Sequence, residues 1–219
     1  MLSLGIDVGE LRNGLHLVLL DEQLKCTEVV RVHQVNRAVD FCRAHKPAIV
    51  AIDSPPAWGL QGNSRLAERQ LRERGIQSFL TPNKNNIVKH ENPFYGWMRV
   101  GFSMFDQLDP LFPRYRADDP KGKAIEVFPN ASAIYIANLL RPKTVSVVKW
   151  RRQVLAASGV EVERLTNLDF VDAGLAALTG LFALKGDYTP FGDPDEGVIV
   201  VPRKSSKVTM LQKRLHAPR

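Results

Sequence analysis

The sequence predicts an α/β fold: a mixed sheet of three antiparallel strands followed by parallel strands, flanked by helices and carrying a helical insertion. Three apolar runs follow one another closely at the start, Leu2–Asp7, Gly14–Leu20 and roughly Thr27–Val32. Turn-forming segments separate these runs, which favours hairpin connections. A helical pattern at Gln34–His45 then precedes Ala48–Ile52, which is apolar on both faces as expected of a buried parallel strand.

The rest of the chain is mainly helical, with two further strands. We predict helices at Ser64–Arg74, Pro93 to about Leu108, Ala131–Leu140, Val145–Ser158 and Asp169–Leu184, and strands at Ala124–Phe128 and Gly197–Val201. Residues 1–202 are therefore expected to form a single domain, in which 58–115 is a helical insertion. A basic tail, 203–219, is expected to follow it.

Composition and charge favour a cytoplasmic protein with a basic end. We expect no membrane span and no signal peptide, because no uninterrupted apolar run is long enough and the first residues lack a basic head. Cys26 and Cys42 are isolated, which suits a reducing compartment. The net charge is +7, and six of the 30 Lys and Arg fall in the acid-free segment 203–219. This tail is expected either to contact nucleic-acid phosphates or to be a solvated end.

Four aspartates form the candidate site. Asp7 and Asp53 end the first and fourth predicted strands, and Asp169 and Asp172 share one face of the last predicted helix. Ligand sites in α/β sheets gather at the carboxyl ends of strands, and Mg²⁺ is bound by a few carboxylates and waters. The pattern predicts a site for Mg²⁺ or Mn²⁺. The structural alternatives are turn residues at Asp7 and Asp53, and a helix-capping residue at Asp169.

Three further charged residues are secondary candidates. Glu126 is the only charge on its apolar strand, so we expect it either to assist the metal ligands or to pair with an arginine. Arg65 and Arg69 lie on one stripe of a helix and are weak candidates for contacting substrate phosphate, because guanidinium groups match phosphate oxygens. The alternative is a solvated helix face, on which these arginines pair with Glu68 and Glu73.

Aromatic and histidine residues give weaker signals. Phe94, Tyr95, Trp97, Phe102 and Phe105 are able to stack on bases, but their helical spacing favours core packing. The five histidines show no metal-binding spacing, and we predict no role for them.

In their order along the chain, these motifs resemble those of the RNase H-like superfamily. More of the chain is similar to an uncharacterised prokaryotic family of predicted RNase H-like nucleases. The resemblance covers most of residues 1–202 and rests on Gly5-Ile6-Asp7, Ile52-Asp53-Ser54-Pro55, Arg65 with Glu68-Arg69, Thr81-Pro82, Glu126-Val127-Phe128-Pro129, Asp172-Ala173 and Gly197–Pro202. The segment from Asp169 to Ala176 also resembles the closing helix of RuvC-type Holliday-junction resolvases, in which two aspartates lie three residues apart.

The resemblance implies hydrolysis of a nucleic-acid phosphodiester with two Mg²⁺ or Mn²⁺ ions. Asp7 would bridge both ions, Asp53 and Asp172 would hold one each, and Asp169 or Glu126 would assist. Many members of the superfamily carry glutamate at one of these carboxylate positions, whereas this chain has the shorter Asp53 on strand four.

Two other functions remain open at the level of sequence. Asp7-Val8-Gly9 resembles the phosphate loop of the superfamily that includes actin, heat-shock chaperones and sugar kinases, which would imply a protein that handles ATP or another nucleotide phosphate. We find no second glycine-rich copy of that loop. The other alternative is a non-enzymatic nucleic-acid-binding protein with a degenerate site.

Overall fold

A seven-stranded mixed sheet forms the centre of the protein. The structure, a computed structural model, describes residues 1–10, 12–88 and 92–203. The strands are β1 (Leu2–Val8), β2 (Leu15–Asp21), β3 (Cys26–Val32), β4 (Ile49–Asp53), β5 (Ala124–Val127), β6 (Tyr188–Asp193) and β7 (Gly197–Pro202). Their order in the sheet is β3-β2-β1-β4-β5-β7-β6. The first three strands are antiparallel, β1, β4, β5 and β7 run parallel, and β6 is antiparallel to β7. The predicted α/β fold with a mixed sheet is confirmed.

Helices cover both faces of the sheet. They are α1 (Val35–His45), α2 (Leu66–Glu73), α3 (Lys84–Val88), α4 (Gly96–Leu108), α5 (Pro129–Ala137), α6 (Val147–Ala157) and α7 (Leu168–Leu184), with a 3₁₀ turn at Pro93–Tyr95. Helices α1 and α4 share one core with β1 and β4. Helices α5, α6 and α7 form a second core against the opposite face of β2.

The alternation of side chains along β1 explains which residues reach which core. Leu4, Ile6 and Val8 pack towards α1 and α4. Because successive side chains of a strand point to opposite faces, Gly5 and Asp7 face α7 instead. Residues paired in register on adjacent strands point to the same face of the sheet. The partners of Asp7 on β2 and β4 therefore face α7 as well.

Helix α7 lies unusually close to β1, and Gly5 makes this possible. A Cβ atom at Gly5 would lie 1.9 Å from the carbonyl oxygen of Ala173 and 2.4 Å from the backbone nitrogen of Ala177. The Ser3 hydroxyl, on the same face, donates a hydrogen bond to the Ala177 carbonyl at 2.7 Å. The apolar residues around α7 are buried because the helix is enclosed by the sheet and by α5 and α6.

Two elements were not expected from the sequence. Strand β6 contains Pro190 and Gly192, which are poor strand residues, and it lies at the edge of the sheet where proline is tolerated. Helix α3 is short and polar. The predicted insertion, 58–115, contains α2, α3 and α4, and α4 contributes buried residues to the core beneath β1. Of the predicted basic tail, 203–219, only Arg203 lies within the described residues.

Within the described ranges, no helix combines the length and apolar character that crossing a membrane requires.

The close approach of α7 leads to a test of stability. We expect Gly5→Ala to lower the free energy of unfolding by about 3 kcal/mol, because the added methyl group collides with helix backbone that a side-chain rotation is unable to move. Thermal and urea denaturation would measure the change. Gly96→Ala is the matched control, since the atoms nearest to the added methyl belong to the Glu10 side chain and lie no closer than 3.6 Å. The control should be neutral or slightly stabilising. Equal stability of the two variants would contradict the close packing.

Candidate metal centre

Three side chains form a row across adjacent strands at one end of the sheet. In the register of the sheet, Asp7 of β1 lies opposite His16 of β2 and beside Asp53 of β4. Residues in register on neighbouring strands point to the same face, and here that face is covered by α7. Both carboxylates therefore lie where the parallel strands end, as the sequence predicts.

Helix α7 adds the other two predicted carboxylates from above the row. Asn167 caps the helix by accepting a hydrogen bond from the Phe170 backbone at 2.8 Å, which places Asp169 and Asp172 in its first turns. Asp7, Asp53 and Asp172 each offer an oxygen within 4.8 Å of the others. Asp169 forms a second such group with Asp7 and His16. The four predicted aspartates thus come together, and Asp7 belongs to both groups.

Burial and mutual repulsion disfavour the ionised form of these carboxylates. Burial, followed by the charges of Asp53 and Asp172, raises the pKa of Asp7 well above its usual value. Burial and the Asp172 charge do the same for the pKa of Asp53. Burial raises the pKa of Asp172 to about 6, although Arg151 opposes that shift. Each ionised group therefore gains from a nearby cation.

Arg151 supplies one positive charge but leaves part of the cluster unsatisfied. From α6, its Nη1 donates to Oδ2 of Asp172 at 2.5 Å. The other oxygen of Asp172, Oδ1, is buried and has no hydrogen-bond partner among the described residues. A buried carboxylate oxygen without a partner costs free energy. Three carboxylates facing one guanidinium, with an oxygen left unpaired, fit the oxygen ligands that Mg²⁺ and Mn²⁺ take.

Glu126 lies on the other face of the sheet. It pairs in register with Ile52, one residue before Asp53, so the two-residue period of a strand directs its side chain away from α7. Both Glu126 oxygens accept hydrogen bonds from Arg65, at 2.5 and 2.8 Å. The Nε of Arg65 donates to Glu68 at 3.0 Å. Of the two expectations for Glu126, the structure shows the ion pair, and in the described part of the chain it joins neither carboxylate group.

Arg65, the residue that caps the start of α2, and Arg69, within α2, occupy different environments. The Arg65 side chain is 2% exposed and directs its nitrogens at carboxylates. Its pairing with Glu68 is the alternative that the sequence left open, and these bonds leave it poorly placed to receive a phosphate. Arg69 is exposed and donates to the Ser64 carbonyl. A phosphate contact by Arg69 stays a prediction.

His16 and Arg151 are site residues that the sequence analysis missed. His16 is not part of a sequence motif; its signal is the hairpin register, in which β1 and β2 pair residue 7 with residue 16. Arg151 lies in a helix with other basic residues, and its position relative to Asp172 depends on how α6 packs against α7. Burial lowers the pKa of His16, and the nearby Asp169 charge opposes that shift.

An open cavity of about 560 Å³ extends from the carboxylates to an aromatic wall. Phe79, Phe94 and Trp97 line this wall; the Phe79 ring centroid lies 5.6 Å from that of Phe94 and 5.9 Å from that of Trp97. Phe79 is 62% exposed and Phe94 is 48% exposed. Among the aromatic residues expected to pack in the core, Phe105 does so, whereas Phe94 does not.

The raised pKa values predict a pH dependence of stability. EDTA removes divalent ions, so that the pH dependence of the protein alone is measured. Because the folded state favours the protonated Asp53 carboxyl, its contribution to the free energy of unfolding is present at low pH. It is lost as the pH rises through the raised pKa of Asp53. Asp53→Asn removes this ionisation. We therefore expect the variant to gain at least about 1 kcal/mol relative to wild type between about pH 5 and about pH 8 in urea denaturation. Asp40→Asn, at an exposed ion pair, should track the wild type. An unchanged difference between Asp53→Asn and wild type across this range would contradict the assigned burial cost.

The buried ion-pair network predicts unequal effects at two arginines. Arg65→Met leaves Glu68 and Glu126 buried without their cation, so we expect a loss of about 3–5 kcal/mol in the free energy of unfolding. Arg69→Met, on the same helix but exposed, should change it by less than about 0.5 kcal/mol. Chemical denaturation of both variants measures the difference, and similar losses would argue against the network.

Comparison with known proteins places the chain in a family without assigning it an activity. The family model described as "Protein of unknown function (DUF429)" matches residues 5–197, a range that includes the four aspartates, His16 and Arg151. Neither the curated proteins nor the solved structures contain a match to the chain. Because the matched range spans most of the sequence, the chain belongs to the DUF429 family.

Proposed function

We propose that this protein is an RNase H-like nuclease that hydrolyses nucleic-acid phosphodiesters with Mg²⁺ or Mn²⁺. One observation carries the proposal: Asp7, Asp53 and Asp172 each offer an oxygen within 4.8 Å of the others, and Oδ1 of Asp172 has no partner in the described part of the chain. Three antiparallel strands, a helix and a parallel strand also open RNase H-like folds, and this chain follows that order.

The protein's own groups would hold and orient the ion. Asp7 and Asp53 come from neighbouring parallel strands, so the sheet fixes their separation. Arg151 holds Oδ2 of Asp172, which leaves the buried Oδ1, without a partner among the described residues, as the free oxygen of that carboxylate. When bound, such an ion supplies charge stabilisation to phosphate oxygens and lowers the pKa of a coordinated water.

The residues that line the cavity support nucleic acid as the substrate. The carboxylates line the same cavity as the exposed rings of Phe79 and Phe94. Aromatic rings stack on bases of any sequence and are common in proteins that bind single strands. The basic tail would add phosphate contacts; apart from Arg203, it lies outside the described residues. We place this activity in the cytoplasm.

The decisive experiment measures ion binding and cleavage on the same samples. We expect wild type to bind Mg²⁺ or Mn²⁺ by calorimetry and to cleave at least one substrate in a panel of single- and double-stranded DNA and RNA. Asp7→Asn and Asp53→Asn should each weaken ion binding at least about tenfold and abolish cleavage, because both remove a ligand charge. Asp40→Asn is the matched control on an exposed ion pair and should behave as wild type.

Truncation after Arg203 separates an enzyme from a binding module. Cleavage that survives the truncation supports the nuclease, since the carboxylates are intact. Ion binding equal in wild type and Asp7→Asn would reject the metal centre. Nucleic-acid binding that is lost with the tail, without cleavage under any metal, would favour the non-enzymatic alternative. Metal-dependent consumption of ATP without cleavage of nucleic acid would favour a nucleotide-phosphate enzyme.

A further inference from the structure

His16 is a buried imidazole with no conventional partner for one of its nitrogens. Its side chain is 2% exposed. Nδ1 lies 3.9 Å from Oδ2 of Asp7, and Nε2 lies 3.7 Å from Oδ2 of Asp169. Both separations exceed a hydrogen bond. Among the residues that the structure describes, Nδ1 has no hydrogen-bond partner.

The ring is held in this position from two directions. The register of β1 and β2 sets His16 directly across from Asp7 on the face covered by α7. Phe170 of α7 contacts the imidazole edge to face, with ring centroids 4.7 Å apart. An ordinary core histidine satisfies its nitrogens with backbone or side-chain groups, because leaving a buried polar atom unpaired is costly. Each nitrogen of His16 instead has a carboxylate oxygen as a neighbour beyond hydrogen-bonding distance.

The spacing of these three residues suits ligands that share one ion. One nitrogen of His16 and one oxygen each from Asp7 and Asp169 lie within 4.8 Å of one another. Ligands at roughly 2.1 Å from a small divalent ion lie up to about 4.2 Å apart, so a modest contraction closes the group around an ion. Asp169 is 48% exposed, which leaves this position open to solvent for entry of the ion.

We propose that His16 supplies a nitrogen ligand to the second divalent-ion position, together with Asp7 and Asp169, and that this position takes Mn²⁺ in preference to Mg²⁺. The inference rests on the proposed function, because Asp7 is common to this position and to the position formed by Asp7, Asp53 and Asp172. The first position offers carboxylate oxygens, which suit Mg²⁺ and Mn²⁺ alike. The second contains an imidazole nitrogen, which favours a transition-metal ion over hard Mg²⁺. The two positions therefore differ in ion preference although they share a ligand.

Electron spin echo spectroscopy of bound Mn²⁺ tests this inference directly, since it detects ¹⁴N coupled to the ion. We expect full-length wild-type protein with Mn²⁺ to show imidazole ¹⁴N coupling that persists in a tenfold excess of Mg²⁺. His16→Gln should abolish the coupling and weaken the second Mn²⁺ binding event at least tenfold in calorimetry. His45→Gln, which removes a histidine stacked on Phe41 in α1, is the matched control and should retain the coupling.

Further outcomes separate this inference from the proposed function. Asp53→Asn should lose the position formed by carboxylates but keep the ¹⁴N-coupled Mn²⁺. Absence of ¹⁴N coupling in wild type would overturn the role of His16 whether or not the His16→Gln variant folds. If wild type shows no ¹⁴N coupling but ion binding and cleavage disappear in Asp53→Asn, the role of His16 is rejected and the nuclease proposal stands. Coupling that remains in His16→Gln would assign the nitrogen to another residue, and a wild type that binds no ion would overturn both proposals.

Discussion

The contact between α7 and β1 at Gly5 is the constraint on which the candidate site depends. The helix backbone occupies the space that a side chain would fill on that strand. Asp172 lies one residue before Ala173, whose carbonyl makes that contact, so the same contact sets the height of Asp172 above Asp7. A wider gap would separate the carboxylates of the helix from those of the sheet. The packing of α7 on Gly5 therefore also sets the distance between the carboxylates of the helix and those of the sheet.

Charge is distributed unevenly between the two faces of the sheet near this site. On one face, Glu68 and Glu126 share Arg65, which donates hydrogen bonds to both, although burial still raises the pKa of Glu126. On the other face, Asp7, Asp53 and Asp172 share Arg151, and burial raises their pKa values. Buried charges in natural proteins are usually paired with opposite charges, and the exceptions are found mainly at functional sites. The contrast distinguishes an acidic pair with a structural role from a cluster suited to bind a cation.

The sequence was most informative where a single residue broke a strong pattern. Asp7 and Asp53 end apolar strands, and Asp172 lies in an apolar helix, so all three were predicted and the structure brings them together. His16 was missed because its importance depends on the pairing of two strands, which no local pattern encodes. The face of Glu126 likewise depends on the register between β4 and β5. Strand β6 was missed because pairing with β7, rather than the strand propensity of its own residues, stabilises it.

Strand β6 has a further consequence for how the sheet ends. An open sheet presents unpaired backbone groups at its margins, and a second chain is able to pair with them. Pro190 lacks an N–H group, and Gly192 adopts a positive φ of 114°, which interrupts regular extended backbone. At the opposite margin, β3 exposes Thr27 and the charged Arg31. Pro190 and Gly192, which made β6 hard to predict from the sequence, thus discourage pairing with a strand of another chain and protect the sheet against aggregation.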